Sequence, residues 1–206
     1  SSEDMYDTAI SKPPFDQKFI FFKTSNWKNI NKNDQKIFEK FLSKNEKIMK
    51  VEDSLSYFED IFKYHKIIHE TDMAYSFKDY YNNFKKQLGS KLVEAIERGM
   101  TYKSSDYVEA LEYREFIYND FKEIFNDYHG ILTPSSTGVA PIGLESTGSP
   151  EFSTIWTYLG LPSISLPILK GSNNLPLGIQ LIGEKLDDAR TLRTANWLMK
   201  KVGAKI

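Results

Sequence analysis

Apolar residues recur along this chain with one period up to about residue 129 and another beyond it. After Pro13-Pro14, the run Phe19 to Phe22 is long enough for a strand and too short for a helix. Between Asp34 and Leu42, residues Ile37, Phe38, Phe41 and Leu42 fall on one face of an amphipathic helix. A strand followed by such a helix begins an α/β layer. Leu55, Phe58, Ile61 and Phe62, then Met73, Phe77, Tyr80 and Phe84, keep helical spacing. Thr71-Asp72 predicts a break there and the N-cap of a second helix. Leu92, Val93, Ala95 and Ile96 predict a shorter helix stopped by Gly99. Ser104 or Ser105 caps the next, which carries Val108, Leu111, Tyr118, Phe121, Ile124, Phe125 and Tyr128 and stops at His129-Gly130.

The second part reads differently. Ile131-Leu132-Thr133 predicts a buried strand ended by Pro134, and 163–168 and 178–182 predict two more. A short helix over Phe152 to Leu159 closes at Gly160. Asp187 or Asp188 caps a last helix over 187–202, with Leu192, Ala195, Leu198, Met199 and Val202 inward and Gly203 at its end. The expected fold is α/β: a mixed β-sheet of residues 18–22, 131–133, 163–168 and 178–182, flanked by helices. It is expected to be one domain over 1–206, helix-rich at 24–129 and rich in strands and loops at 130–183.

Composition narrows the function classes. With 206 residues, 40% of them hydrophobic and 27% charged, the chain has the makings of a folded domain rather than a disordered one. A chain this long buries roughly 70% of its unfolded surface. The net charge of −1 argues against nucleic-acid binding, which rests on clustered Lys and Arg. There is no cysteine, so disulfides and thiolate metal sites are excluded and a reducing, cytoplasmic setting is expected. The N-terminal stretch is polar and acidic, with no signal-peptide pattern. No apolar run approaches ~18 residues, so no membrane span is expected.

Several constellations invite chemistry. His65 and His69 stand four apart on a predicted helix, the spacing of two zinc ligands. Lys66 occupies the place where the zinc-protease motif has Glu, and no third ligand is evident, so a half-exposed pair is expected. Ser135-Ser136-Thr137-Gly138 follows a strand as a nucleophile loop does, but it is not Gly-x-Ser-x-Gly and has no evident base; a turn is expected. The glycines at 138, 143 and 148 do not have phosphate-loop spacing and predict an ordered loop with positive-φ positions. The aromatic stripe of Tyr107, Tyr118, Phe121, Phe125 and Tyr128 is expected to pack a core. Asp187-Asp188 is expected to serve a helix N-terminus rather than a metal.

The segment from Ile131 onward is more specific. A strand ending at Pro134, Ala140-Pro141, Trp156-Thr157-Tyr158-Leu159-Gly160, Leu161-Pro162, Leu166-Pro167, Leu175 to Gly183, and a closing helix after Asp187 resemble the C-terminal half of the amidase-signature family in order and spacing. Asp4 to Pro14 resembles the linker that follows the signature region. The resemblance implies a partial amidase-signature fold and a parent hydrolase acting on C–N bonds. That parent would use a nucleophilic serine, a second serine after a cis peptide bond, and a lysine, with no metal or cofactor. The Gly-Gly-Ser-Ser-Gly-Gly loop and the lysine belong to the N-terminal half of such enzymes. The loop occurs nowhere in this sequence, so the resemblance assigns no catalytic residue here and implies that this chain is inactive alone. It places Thr137, Ile155 and Trp156 at the substrate wall. The implied partners are the missing N-terminal half, on the same chain or a separate subunit, and a small-molecule amide; neither nucleic acid nor membrane is expected. The Trp-Thr-Tyr-Leu-Gly stretch resembles general amidases more than the A subunit of the tRNA-dependent amidotransferase. Three alternatives stay open: one component of a split amidase, the A subunit of an amidotransferase, and a non-catalytic binding module.

Overall fold

A computed structural model describes residues 2–53 and 58–203. The chain divides into two compact units, one of residues 1–58 and 120–206 and one of residues 59–119.

The first unit is built on five strands: β1 (Phe19–Lys23), β2 (Met49–Asp53), β3 (Ile131–Pro134), β4 (Ser163–Lys170) and β5 (Pro176–Ile182). They lie in the order β2-β1-β3-β5-β4. β1 pairs in parallel with β2 and β3, whereas β5 pairs antiparallel with β3 and β4, so the sheet is mixed as expected. Helix α2 (Lys32–Lys44) connects β1 to β2 as a βαβ crossover. The side chain of Asn31 caps it, accepting from the amides of Asn33 and Asp34. β1 is buried from Phe19 through Phe22, the signature of a strand covered on both faces. Phe21 and Phe38 pack with Trp27, and Phe19, Leu132, Ile179, Leu181 and Leu198 continue the same core.

Two elements of this unit escape the sequence pattern. Helix α1 (Ser2–Ile10) stands where a linker is expected. Its Met5, Tyr6 and Ile10 stay exposed, and it rests on the last helix, whose Asn196 donates to the Ala9 carbonyl. β2 buries only Met49; Lys50 and Glu52 pair on this edge strand, and such charges hide an edge from a hydrophobicity count.

The last helix, α9 (Asp188–Lys201), starts and faces differently from the prediction. Asp187 makes no side-chain cap; its carboxylate takes the Arg190 guanidinium at 2.6 Å. Leu192 is exposed, while Thr191 and Thr194 face inward with Ala195 and Leu198. Both threonine hydroxyls are satisfied, Thr191 donating to the Asp187 carbonyl at 2.8 Å and Thr194 to Gln17 at 3.3 Å, so burial does not strand them.

The second unit is helical. Helix α3 (Phe58–Ser76) runs unbroken through Thr71-Asp72, and the expected break falls at Phe77, ahead of α4 (Lys78–Phe84). Leu55, assigned to this helix by spacing, lies outside the described residues. Phe77, Tyr80 and Phe84 are exposed rather than inward; the buried face of α3 carries Ile61, Ile67, Glu70 and Ala74 instead. In α6 (Ser104–Lys122), which crosses into the first unit, Ala110, Ile117 and Phe121 are buried and Val108 is exposed. This helix stops at Lys122 and a separate turn, α7 (Ile124–Asp127), follows, short of the predicted His129-Gly130 end. Gly99 is the last residue of α5 (Ser90–Gly99) without a left-handed conformation, and its lack of a side chain answers to packing: a Cβ on it would collide with the Glu70 carbonyl of α3.

Glu70 is the buried ion of this unit. Arg98 donates to it through Nε at 3.0 Å and Nη2 at 2.7 Å, and Tyr102 through its hydroxyl at 3.0 Å. Burial alone raises the carboxyl pKa, but those hydrogen bonds and the Arg98 and Lys66 charges outweigh it and hold it below the ordinary glutamate value. A depressed folded pKa contributes stability that is present above the unfolded value and lost as pH falls through the folded one. Arg98→Met is therefore expected to destabilise the protein at neutral pH, because the buried Glu70 carboxylate loses its guanidinium donor. The cost should shrink on acidification, as urea midpoints at pH 7 and pH 3 would record; an equal loss at both would remove the ion pair as its cause.

Candidate functional site

Three strand ends of the first unit meet at a cleft. β3 ends at Pro134, and the Ser135 amide continues its ladder by donating to the Gly178 carbonyl of β5 at 3.0 Å. Ser165 of β4 stands opposite Gln180 while Pro134 stands opposite Ile179, and this register brings Ser135 and Ser165 together. Their hydroxyl oxygens are 2.8 Å apart. Gly178 lies beneath the pair: a Cβ there would fall 2.7 Å from the Ser135 oxygen and 3.0 Å from the Ser165 oxygen. The cleft encloses about 490 Å³, between this pair and the loop that carries Ser136, Thr137 and Ser149. Val139, Pro167 and Pro176 supply apolar wall, and among the described residues no Asp, Glu, Lys, Arg or His lines it.

The loop of residues 135–149 is fixed locally. Ser136 donates to the Gly138 carbonyl at 2.6 Å, closing the expected turn. Gly143 and Gly148 take φ of 90° and 91°, a region open to glycine. Behind the loop, the fully buried Asp34 carboxylate lies where side chains at Gly138 or Gly171 would have to go. Asn31 donates to its Oδ2 at 2.7 Å, and its Oδ1 finds no hydrogen-bond partner among the described residues.

Gln180 ties the site to the fold. Buried in mid-β5, its amide nitrogen reaches the Thr133 hydroxyl at 2.8 Å, the Pro134 carbonyl at 3.1 Å and the Phe152 carbonyl at 2.6 Å. It thus locks the end of β3 to the start of α8 (Glu151–Leu159). That helix closes as predicted at Gly160, in the left-handed region at φ 68°, with the Leu161 amide reaching back to the Trp156 carbonyl.

The three residues expected at the substrate wall separate here. Thr137 lines the cleft. Ile155 and Trp156 lie in α8 at 0% exposure, with the Trp156 ring edge-on to Phe121 at 5.7 Å. Ser165 and Gly178, which complete the cleft, carry no site signal in the sequence, because only strand register juxtaposes them with Ser135. Of the other constellations, His65 and His69 stack their rings at 5.4 Å, with burial and then the His69 charge lowering the His65 pKa. Among the described residues, no three His, Cys, Asp or Glu converge on a metal-sized site.

The mixed sheet and its flanking helices have counterparts among known proteins. The chain belongs to the Amidase family, whose pattern it matches over residues 23–192. In sequence it is 32% identical over 110 residues to the A subunit of the glutamyl-tRNA(Gln) amidotransferase of Halothermothrix orenii, covering 50% of this chain and 23% of that protein. It is also 32% identical over 140 residues to the corresponding protein of Bacillus cereus strain AH187, covering 61% of this chain and 29% of that one. In fold it superposes on a crystallised amidase with a TM-score of 0.79 at 17% identity, over 93% of this chain and 47% of the other. A bacterial aryl acylamidase gives 0.67 at 12% identity, over 98% and 48%. The chain thus spans under a third of those curated relatives and about half of those solved structures. No helix among the described residues is long and apolar enough to cross a membrane.

Proposed function

We propose that this chain is the C-terminal portion of an amidase that hydrolyses carboxylic amides through a serine acyl-enzyme, with the nucleophile and its base supplied by the remainder of the fold. The carrying observation is that the chain superposes along 93% of its length on less than half of an amidase, while its sequence contains no Gly-Gly-Ser-Ser-Gly-Gly loop. The serines present do not substitute for that loop. A serine attacks a carbonyl only when an adjacent base takes its proton. Ser135 bonds to another serine and Ser136 to a backbone carbonyl, and among the described residues no His or Lys lines their cleft.

The contribution of this portion is sheet completion and one wall of the acyl pocket, with Thr137 on the cleft and Ile155 and Trp156 packing the helix behind it. Its partner is the remaining part of the amidase fold, in the same polypeptide or a separate one. Two features call for such a cover. β4 is the edge of the sheet, and strand edges demand partners. Beside the cleft, Ile142 and Leu144 are 92% and 100% exposed. The amidotransferase relatives favour a second reading, in which the complete protein is the A subunit of an amidotransferase.

Hydrolysis of an aryl amide tests the proposal. The chain alone should show none, and the chain combined with the remaining amidase portion should show turnover. Turnover by this chain alone would sink the proposal and return attention to Ser135 and Ser136.

A further inference from the structure

We infer that the Ser135–Ser165 hydroxyl pair is a binding site for an uncharged planar group that presents a carbonyl beside an N–H, as a carboxamide or ureido group does. The inference rests on the amidase reading only in placing that group on the substrate.

The chemistry follows from counting protons. Two serine hydroxyls carry two protons, and their mutual bond at 2.8 Å uses one. One O–H stays free to donate to a ligand carbonyl. The lone pairs of the neighbouring oxygen accept from the ligand N–H. The pair thus offers a donor and an acceptor side by side, the complement of an O=C–N–H edge. A carboxylate brings two acceptors and no donor, and a methyl group brings neither.

The site is built rather than incidental. The Ser135 backbone is held in the β5 ladder by its bond to Gly178, so its side chain has a fixed origin. Ser165 lies within β4, also hydrogen-bonded to β5. Gly178 keeps the floor open, because any side chain there would strike both hydroxyls. The pair opens into the cleft of about 490 Å³, whose described lining carries no charge to attract an ion in its place.

The test uses the complete enzyme and two anilide substrates that differ only at the far end of the acyl part, one carrying a carboxamide and the other a methyl group. Ser165→Ala should shift the ratio of their KM values roughly ten-fold against the carboxamide, the worth of about one net hydrogen bond. Ser165→Thr, which restores a hydroxyl, should recover most of the ratio. An unchanged ratio, or an equal rise for both substrates, would overturn the inference while leaving the amidase reading standing. If the wild-type enzyme turns over neither substrate, the amidase reading falls instead. The pair is then judged by NMR titration with benzamide against benzoate. Weaker benzamide binding in Ser165→Ala supports the site, and equal binding by wild type and variant overturns it.

Discussion

Gln180→Leu is expected to destabilise the protein by about 3 kcal/mol, lowering its thermal midpoint by roughly 6–12 °C. The substitution keeps the bulk of the side chain but removes the amide donor from three buried oxygens: the Thr133 hydroxyl and the Pro134 and Phe152 carbonyls. The two that lose most are Phe152 O, which gives up a bond of 2.6 Å, and Thr133 Oγ1. Pro134 O still accepts from Thr133 at 3.2 Å. Phe152 O keeps the amide of its own helix α8 and Thr133 Oγ1 its bond to Pro134 O, so the loss is that of two to three net hydrogen bonds at about 1 kcal/mol each rather than of stranded acceptors. Gln180→Glu sharpens the test. Its carboxylate would face acceptors, so the folded state should raise its pKa above the unfolded one. Stability of that variant should be present below the unfolded value and lost as pH rises through the folded one, the reverse of the Glu70 dependence. Urea midpoints across pH 5–8 would read this. Wild-type stability in Gln180→Leu would mean that packing, not the amide, joins β3 to α8.

Gln180 also shows where the sequence runs out. The alternation of β5 and the Leu-Pro-x-Gly-x-Gln pattern mark a strand with a buried polar residue, but nothing in the pattern says that its partners are Thr133, 47 positions earlier, and Phe152. The elements whose burial is decided by large apolar side chains are legible: β1 from its four-residue run, α2 from Phe38, Phe41 and Leu42, and α8 from Phe152 to its Gly160 stop. The elements that escape are held by other means. β2 is an edge strand of charges, and α1 keeps its large side chains in water while resting on α9. Where threonine takes an inward position in α9, the apolar stripe rotates by one residue and Leu192 is read as buried although it is not. In α3 the polar pair Thr71-Asp72 has the composition of a cap, yet the helix continues through it, and the Asp72 carboxylate accepts from the Tyr107 hydroxyl at 3.0 Å instead of capping. The cleft is half legible for a similar reason. Its loop is contiguous in sequence and stands out there, whereas its opposite wall depends on register, and register is settled by the whole sheet.

Trp156→Ala is expected to cost about 3–5 kcal/mol, the range for truncating a fully buried aromatic residue. The indole has 0% exposure, lies edge-on to Phe121, and belongs to a helix with Phe152, Ile155 and Leu159 equally enclosed. No ligand reaches it in this arrangement. Its resemblance-based place at the substrate wall and its observed place in the core make different predictions for Trp156→Phe. The indole Nε1 has no hydrogen-bond partner among the described residues, so phenylalanine forfeits no polar contact there. It keeps an aromatic ring toward Phe121 and leaves a far smaller cavity than alanine would, so its cost should fall well below that of Trp156→Ala. If Trp156 only packs, the complete enzyme carrying Trp156→Phe should keep its KM, with any fall in activity following the fraction folded. If Trp156 forms the wall, KM should rise while stability holds. The two outcomes separate because an enclosed side chain acts on substrate only through the position of what it supports, and α8 is also held independently at its start by Gln180 and at its end by the Gly160 cap.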